Sequence, residues 1–381
     1  NEFIEINFGK MKNGKNETDK QFRVYKAGNR RPSGNMNSEF YTLYFCSEEL
    51  VLSEQRKISK SFKGTEIYRV VDNILKEELR VKTDKIEKIE RTKGIYDFII
   101  PRLKPFEAIS WLSNYARPKD YVGADMLFFE TKNGYNFRSL QSMFSDNVYA
   151  TYKYQAKNIS YDLQNPQEKA TTILKYEIVK PYDILSQINS GAIANKLISI
   201  DPLTRTYKTT NFNYDKFKGQ AKTLNSNKPS NDLKNRFNKS QSEEYDGVLK
   251  VSVGNAAQKM VPYIKEAESG VAQDVFVETY IPSRTAQIAL ANYTIIRASI
   301  PGDPGITAGR TINFNVYTLK PTNENKDLDK FYSGKYLVTA VRHVILPQGL
   351  YQTILELAKD SSGKAYQNIK DNNSQKSAIK A

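Results

Sequence analysis

Ile295-Ile296-Arg297-Ala298-Ser299-Ile300-Pro301-Gly302-Asp303-Pro304-Gly305 is the stretch that decides the fold. Ile295–Ile300 is apolar and β-prone, and the Pro-Gly-Asp-Pro-Gly run breaks the strand. Moving outward, Gly309 and Thr311–Tyr317 begin a second strand, and a polar loop, Pro321–Lys330, follows. Ser333-Gly334-Lys335 launches a third strand, Tyr336–Ile345, and Pro347-Gln348-Gly349 turns it into a fourth, Leu350–Leu357. Strands this short, tightly joined and rich in Val, Ile, Thr and Tyr predict a small antiparallel barrel. Asp303 stands alone between its prolines and glycines, whereas a calcium loop needs several spaced oxygen ligands. The run therefore reads as a rigid turn, with glycine taking the φ angles other residues avoid.

Composition narrows the function. At 381 residues, two or more compact units are expected. The 25 Tyr and 18 Phe outweigh a single Trp and favour sheet-rich packing. No window approaches 18 uninterrupted apolar residues, so no membrane-spanning helix and no stable membrane insertion are expected. One cysteine, Cys46, excludes an internal disulfide and a thiolate zinc cluster, and it reads as a buried free thiol. One histidine, His343, excludes sites that need two, and its place in the third barrel strand favours a structural role. No phosphate-cradling loop, dinucleotide fingerprint or nucleophile elbow appears. Glu48-Glu49, Glu77-Glu78 and Glu243-Glu244 are sequence neighbours, which does not place two carboxyls across a cleft. No cofactor or metal is expected, and the inventory argues against an enzyme. The net charge of +15 raises nucleic acid as a partner, but its lysine-dominated basic residues are scattered among 42 acids.

Three strands are expected near the start: Glu2–Phe8, Phe22–Ala27 and Phe40–Cys46, with loops Lys10–Lys20 and Gly28–Asn37 between them. Because the chain opens inside a strand, this first unit is expected to be incomplete at its amino terminus. A helix follows over Gly64–Leu79, with Ile67, Val70, Val71, Ile74 and Leu75 on one face, and then a charged connector, Lys82–Lys93. Pro105 opens a second helix whose stripe is Ala108, Trp111, Leu112 and Tyr115. Ala124–Glu130 and Tyr135–Leu140 form a hairpin around Lys132-Asn133-Gly134, which predicts a type I′ turn. Glu168–Val179 and Lys196–Ile200 read as strands or as a strand–helix pair, with Pro181–Ile188 between them, and Thr204–Tyr214 is strand-like. Lys216–Gly247 reads as a long exposed insertion, Ala286–Tyr293 as a helix, and the tail from Ser361 as disordered. The two ends also resemble each other: Glu2–Phe8, Phe22–Ala27 and Phe40–Glu49 line up with Thr311–Tyr317, Tyr336–Ala340 and Leu350–Lys359. One unit used twice accounts for this; so does the plainer fact that alternating strands align readily with one another.

The series Ile300-Pro301-Gly302-Asp303-Pro304-Gly305-Ile306, Ala308-Gly309, Ser333-Gly334-Lys335-Tyr336-Leu337-Val338, Val341-Arg342-His343 and Tyr351-Gln352-Thr353 resembles the second barrel of phage tail hub proteins. That family includes the late control protein D group and the amino-terminal part of type VI secretion spikes. The middle is similar to the central baseplate hub of T4-like contractile-tailed phages: Pro101–Phe106 leads into Trp111-Leu112 and a hairpin holding Phe128 and Gly134-Tyr135. The resemblance implies an α+β, mostly β fold, in which two SH3-like or Tudor-like barrels are joined by mixed α/β domains. It assigns residues 1–92 to the first barrel and its helix, and 93–150 to the first part of the α/β domain. Residues 151–212 then open the second barrel, 213–290 complete the α/β domain, 291–360 complete the barrel, and 361–381 form a flexible tail. Pro301, Gly302, Asp303, Gly305, Gly309, Gly334, Tyr336, His343 and Tyr351 become the structural motif of the second barrel, and Trp111, Leu112 and Phe128 the α/β core. The resemblance further implies a homotrimeric ring in the virion baseplate, assembled in the host cytoplasm. Its partners would be a tail spike protein, tail tube or tube-initiator proteins and other baseplate proteins, with DNA passing transiently through the channel. The competing readings are a basic DNA-binding accessory protein and a tail-tip cell-wall hydrolase.

Overall fold

The structure is a computed structural model that describes residues 2–12, 15–32, 38–154, 170–201, 205–226, 248–253, 277–317, 328–329, 331–347 and 349–362. Strands dominate it. β1 (Phe3–Lys12), β2 (Lys15–Pro32) and β3 (Glu39–Cys46) form an antiparallel meander. The polar stretches expected as loops lie largely in these strands: β1 and β2 stay paired out to Lys12 and Lys15, and β2 runs on to Pro32. Pairing in a two-stranded ribbon keeps polar residues extended without any hydrophobic alternation to signal it. Residues 33–37 lie outside the described residues.

The next unit packs helices on short sheets. β4 (Ile58–Thr65) pairs with β6 (Tyr96–Leu103). The first expected helix starts after β4, at Ile67, runs to Asn73 and continues as a π-helical turn, Ile74–Glu78. Its stripe is buried as the spacing predicts, with Val70, Val71, Ile74 and Leu75 fully enclosed. The Pro105–Ser113 helix lays Ala108, Ile109 and Leu112 on the same core. β5 (Ile86–Ile89) lies inside the charged connector and pairs parallel with β8 (Gly134–Ser139), which forms a hairpin with β7 (Met126–Thr131). The hairpin turn is not type I′, because its positive φ falls on Gly134 (139°) and not on Asn133. Two contacts impose this: the Thr131 hydroxyl accepts the Asn133 N–H at 3.1 Å, and a Cβ on Gly134 would lie 2.2 Å from the Lys85 carbonyl oxygen.

The predicted barrel strands appear as β14 (Thr294–Pro301), β15 (Thr311–Val316), β16 (Gly334–Ile345) and β17 (Tyr351–Lys359). Two earlier strands complete the sheet, β9 (Val148–Tyr154) and β10 (Lys175–Lys180), in the order β10-β14-β17-β16-β15-β9. β9 pairs parallel with β15, so the sheet is not wholly antiparallel. Its ends meet. Lys153 of β9 exchanges backbone hydrogen bonds with Thr171 and Ile173, and Leu174 then donates to Ser299 of β14. Ile296, Ile300, Phe314, Tyr336, Val338 and Leu355 fill the interior. A further sheet, β12 (Thr206–Asn213), β11 (Ala194–Asp201) and β13 (Val248–Val253), packs on the Val277–Ala291 helix, with Asn195 donating to the Pro282 carbonyl.

Two expectations of exposed chain are corrected. Within the expected insertion, Ala221 and Leu224 are buried, while 227–247 lie outside the described residues. Ser361 and Ser362, assigned to a flexible tail, are buried as well: Asn225 donates from its backbone to the Ser361 hydroxyl and from its side chain to the Ser361 and Lys335 carbonyls. A polar residue satisfied by backbone groups gives no hydropathy signal.

At the amino terminus the described residues form an open three-stranded sheet where a barrel was expected. Its pairing register nevertheless matches that of β15-β16-β17. Ile4 faces Phe22 as Ile312 faces Tyr336, and Ile6 faces Lys20 as Phe314 faces Gly334. Val24 faces Phe45 as Val338 faces Leu357, and in each meander the middle strand bulges at the residue after that valine. The first strand thus aligns one residue away from the frame suggested by sequence, a slip that would exchange the faces of a strand. In the carboxy-terminal meander the matched face is fully buried. In the amino-terminal one Ile4, Ile6, Phe22 and Val24 are only half-buried, and no buried apolar cluster among the described residues includes a residue before Leu52. Phe314→Ala should therefore cost about 3–5 kcal/mol of stability. Ile6→Ala, at the matched position, should cost about 1 kcal/mol or less in the isolated chain. Urea midpoints of the two variants measure this, and equal losses would contradict the open face.

Candidate functional site

The Pro-Gly-Asp-Pro-Gly turn sits where the closing ends of the barrel meet. Gly302 donates to the Tyr351 carbonyl at 3.0 Å and lies flat against that ring, where a Cβ would come within 2.0 Å of it. The Asp303 N–H donates to the Thr353 hydroxyl at 3.0 Å. The Asp303 carboxylate accepts the Gly305 N–H at 2.9 Å, the Tyr152 hydroxyl at 3.0 Å and the Tyr149 hydroxyl at 3.1 Å. Burial, reinforced by Asp303, pushes the Tyr152 phenol far above its ordinary range, so it stays protonated and donates to Asp303. Lys132, at the hairpin tip, caps the turn by donating to the Pro304 carbonyl.

His343 and Tyr351 form the rim beside this turn, the Tyr351 hydroxyl lying 3.0 Å from His343 Nδ1. Burial first, then Lys132, lowers the His343 pKa, with Asp303 opposing. The Phe8 ring from β1 rests on both, 5.2 Å from the His343 ring and 5.8 Å from Tyr351. The amino-terminal sheet therefore touches the barrel at this rim.

Gly309, Gly334 and Tyr336 lie elsewhere on the barrel. Gly309 has φ 82°, and a Cβ there would meet the Phe129 ring at 2.8 Å, so the hairpin can lean on the barrel. Gly334 abuts Asn225. The Tyr336 hydroxyl donates to Tyr332 O at 2.6 Å, and Lys359 Nζ sits 4.9 Å over the Tyr336 ring while donating to Phe331 O. Burial lowers the Lys359 pKa to about 8. Trp111, Leu112 and Phe128 belong to the helix–sheet core, where Phe128 stacks on Tyr135 at 5.9 Å. Sequence reading missed Lys359 and Asn225. Each is a polar residue whose burial depends on chain segments far away in sequence.

The polar atoms of the turn are engaged with one another. Of the acid pairs, Glu49 holds Lys85 at 2.8 Å and Glu78 lies 3.8 Å from Lys60, while Glu243-Glu244 falls outside the described residues. Cys46 is half-buried, and burial together with Glu130 raises its thiol pKa, the opposite of nucleophile activation. Among the described residues no group of three His, Cys, Asp or Glu is arranged to hold a metal ion, and no helix is long and apolar enough to cross a membrane.

No family model and no curated protein matches this sequence. Solved structures do. A tail protein from Neisseria meningitidis MC58 is 10% identical, over 89% of this chain and 80% of that one, with a TM-score of 0.48. The 43 kDa tail protein of prophage MuSo2 from Shewanella oneidensis is 8% identical, over 92% and 81%, also at 0.48. A chain of the phage P2 baseplate, in its activated conformation with calcium, is 10% identical over 94% and 79%, at 0.25.

Two outcomes test the site. Asp303→Ala leaves two tyrosine hydroxyls without their acceptor and should cost about 2–4 kcal/mol; adding Tyr152→Phe to that variant should cost little more. Fully additive losses in chemical denaturation would show that the clasp does not couple these residues. Lys359 is the second. Its folded pKa lies near 8, below the ordinary 10.5. Between those values the unfolded chain binds more protons, so this residue makes stability rise as pH climbs from 8 toward 10.5. Lys359→Met should remove that rise, seen as a difference in urea midpoint between parent and variant across the window.

Proposed function

We propose that this chain is a non-enzymatic structural hub of a phage tail baseplate. Three copies would form a ring that adapts a sixfold tail tube to a threefold puncturing spike and leaves a central channel for DNA. One observation carries the reading: meanders at both ends of one chain share their register and a bulge from Phe3 to Gly28 and from Thr311 to Arg342. A subunit with two equivalent β modules presents six in a trimer, so threefold subunits can imitate sixfold symmetry. The sequence resemblance to tail hub proteins supports the same reading, as does a turn whose polar groups are spent on holding strands together. In this reading the sheet of residues 1–46 belongs to the first module and the barrel to the second. The partners are the spike, the tube or its initiator and neighbouring baseplate proteins, in a virion tail assembled in the host cytoplasm.

Native mass spectrometry should find a species of three chain masses, and negative-stain class averages a six-lobed ring with a central opening. A monomer persisting through micromolar concentration, with no ring in electron micrographs, would sink the proposal.

A further inference from the structure

The register match between the meanders allows their outer faces to be compared position by position. In β15-β16-β17 the outer positions are Thr311, Leu337, Thr339, Ala340, Glu356 and Ala358. Part of that face is covered by the chain itself, since Leu337 is buried with Leu140, Met143, Phe144 and Leu224. The matching positions in β1-β2-β3 are Phe3, Arg23, Tyr25, Lys26, Tyr44 and Cys46. Two of those are cations and three are aromatic.

These groups are organised. The Arg23 guanidinium lies 4.5 Å over the Phe3 ring and is also held by Glu48 at 3.3 Å. Lys26 Nζ lies 5.1 Å from the Tyr44 ring, and the Tyr25 ring is 6.3 Å from Tyr44. Farther along the same face Arg31 pairs with Phe40. Tyr25 and Phe40 are 61% and 68% exposed. The acids on this side include Glu5 and Asp19, toward the β1–β2 turn and away from Lys26 and Arg31, Glu48, engaged by Arg23, and Glu130, close to Cys46 at the end of β3.

We infer that this outer face of the amino-terminal sheet, built on Tyr25, Lys26, Arg31, Phe40 and Tyr44, docks an acidic protein surface. The inference stands on the sheet itself and goes beyond the hub reading. Exposed aromatics interleaved with cations suit a partner that brings carboxylates and some apolar area. Nucleic acid is the less favoured occupant: Phe3 and Tyr44 already carry cations of their own chain, which leaves Tyr25 and Phe40 as the rings of this face open to base stacking. The matched face of the other module also meets a protein surface, that of its own chain.

The test uses the full chain and a fluorescein-labelled ten-residue glutamate peptide at low salt, read by anisotropy, with an unlabelled oligothymidylate of matched charge as competitor. Lys26→Glu with Arg31→Glu should weaken peptide binding by about tenfold or more. Lys88→Glu with Lys175→Glu, the same charge change on exposed residues elsewhere, should weaken it by less than about twofold. Tyr25→Ala with Phe40→Ala, which leaves the charge unaltered, should cost several-fold. Equal losses from the two charge-reversed pairs would reduce the effect to net charge and overturn the inference. So would an oligothymidylate that binds more tightly than the peptide and loses that binding in the Lys26/Arg31 pair. Circular dichroism of each variant confirms that the strands persist.

Discussion

One carboxylate helps to tie the two ends of the six-stranded sheet together. In the order β10-β14-β17-β16-β15-β9, the strand β9 stands at one end, with β14 and β17 toward the other. Asp303 follows β14, receives hydroxyls from Tyr149 and Tyr152 of β9, and donates from its backbone to Thr353 of β17. It therefore spans the seam where a curled sheet would otherwise show two raw edges. Unpaired edges invite association with other chains, and a small barrel gains its stability by removing them. Charge-assisted bonds are shorter and stronger than neutral ones, so a single acid held by two phenols and an amide can fix the seam. The glycine before it is needed for the same reason. Only a residue without a side chain lets the turn lie against the Tyr351 ring.

The legible parts of the sequence were those whose burial follows a local period. The strands from Ile295 to Leu357 alternate, the stripe from Ile67 to Leu75 repeats at helical spacing, and Pro105 marks a helix start; each element lies where those signals place it. β5 was hidden because it spans four residues, Ile-Glu-Lys-Ile, and its reason to be a strand is a parallel partner some fifty residues away. The hairpin turn was placed correctly but given the wrong backbone, because close approach to Lys85, just before β5, decides where the positive φ falls. Of the turn residues, the roles of Gly302 and Gly305 could be read from turn chemistry. That Asp303 would be met by Tyr149 and Tyr152 could not, since nothing local links residues about 150 apart in the chain.

The relation between the two ends has the same character. Sequence alternation suggested it within a residue or two, yet only pairing partners distinguish a frame that preserves inside and outside from one that inverts them. With the register known, the shared bulge becomes the telling feature: an extra residue after Val24 and after Val338 bends both middle strands at one point. Alternation alone does not place a bulge.

What differs between the modules then separates architecture from contact. Most inward positions remain apolar in both, Ile6 against Phe314 and Val24 against Val338, with Lys20 in the place of Gly334 as an exception. The outward positions diverge completely, to Leu and Ala where the chain packs on itself and to Tyr, Lys and Arg where it does not. If both modules only filled equal places in a ring, their outer faces would have no reason to part. In the proposed ring of six similar modules, a threefold partner would need every second module to differ, and an aromatic, cationic face on one module of each chain would supply that difference.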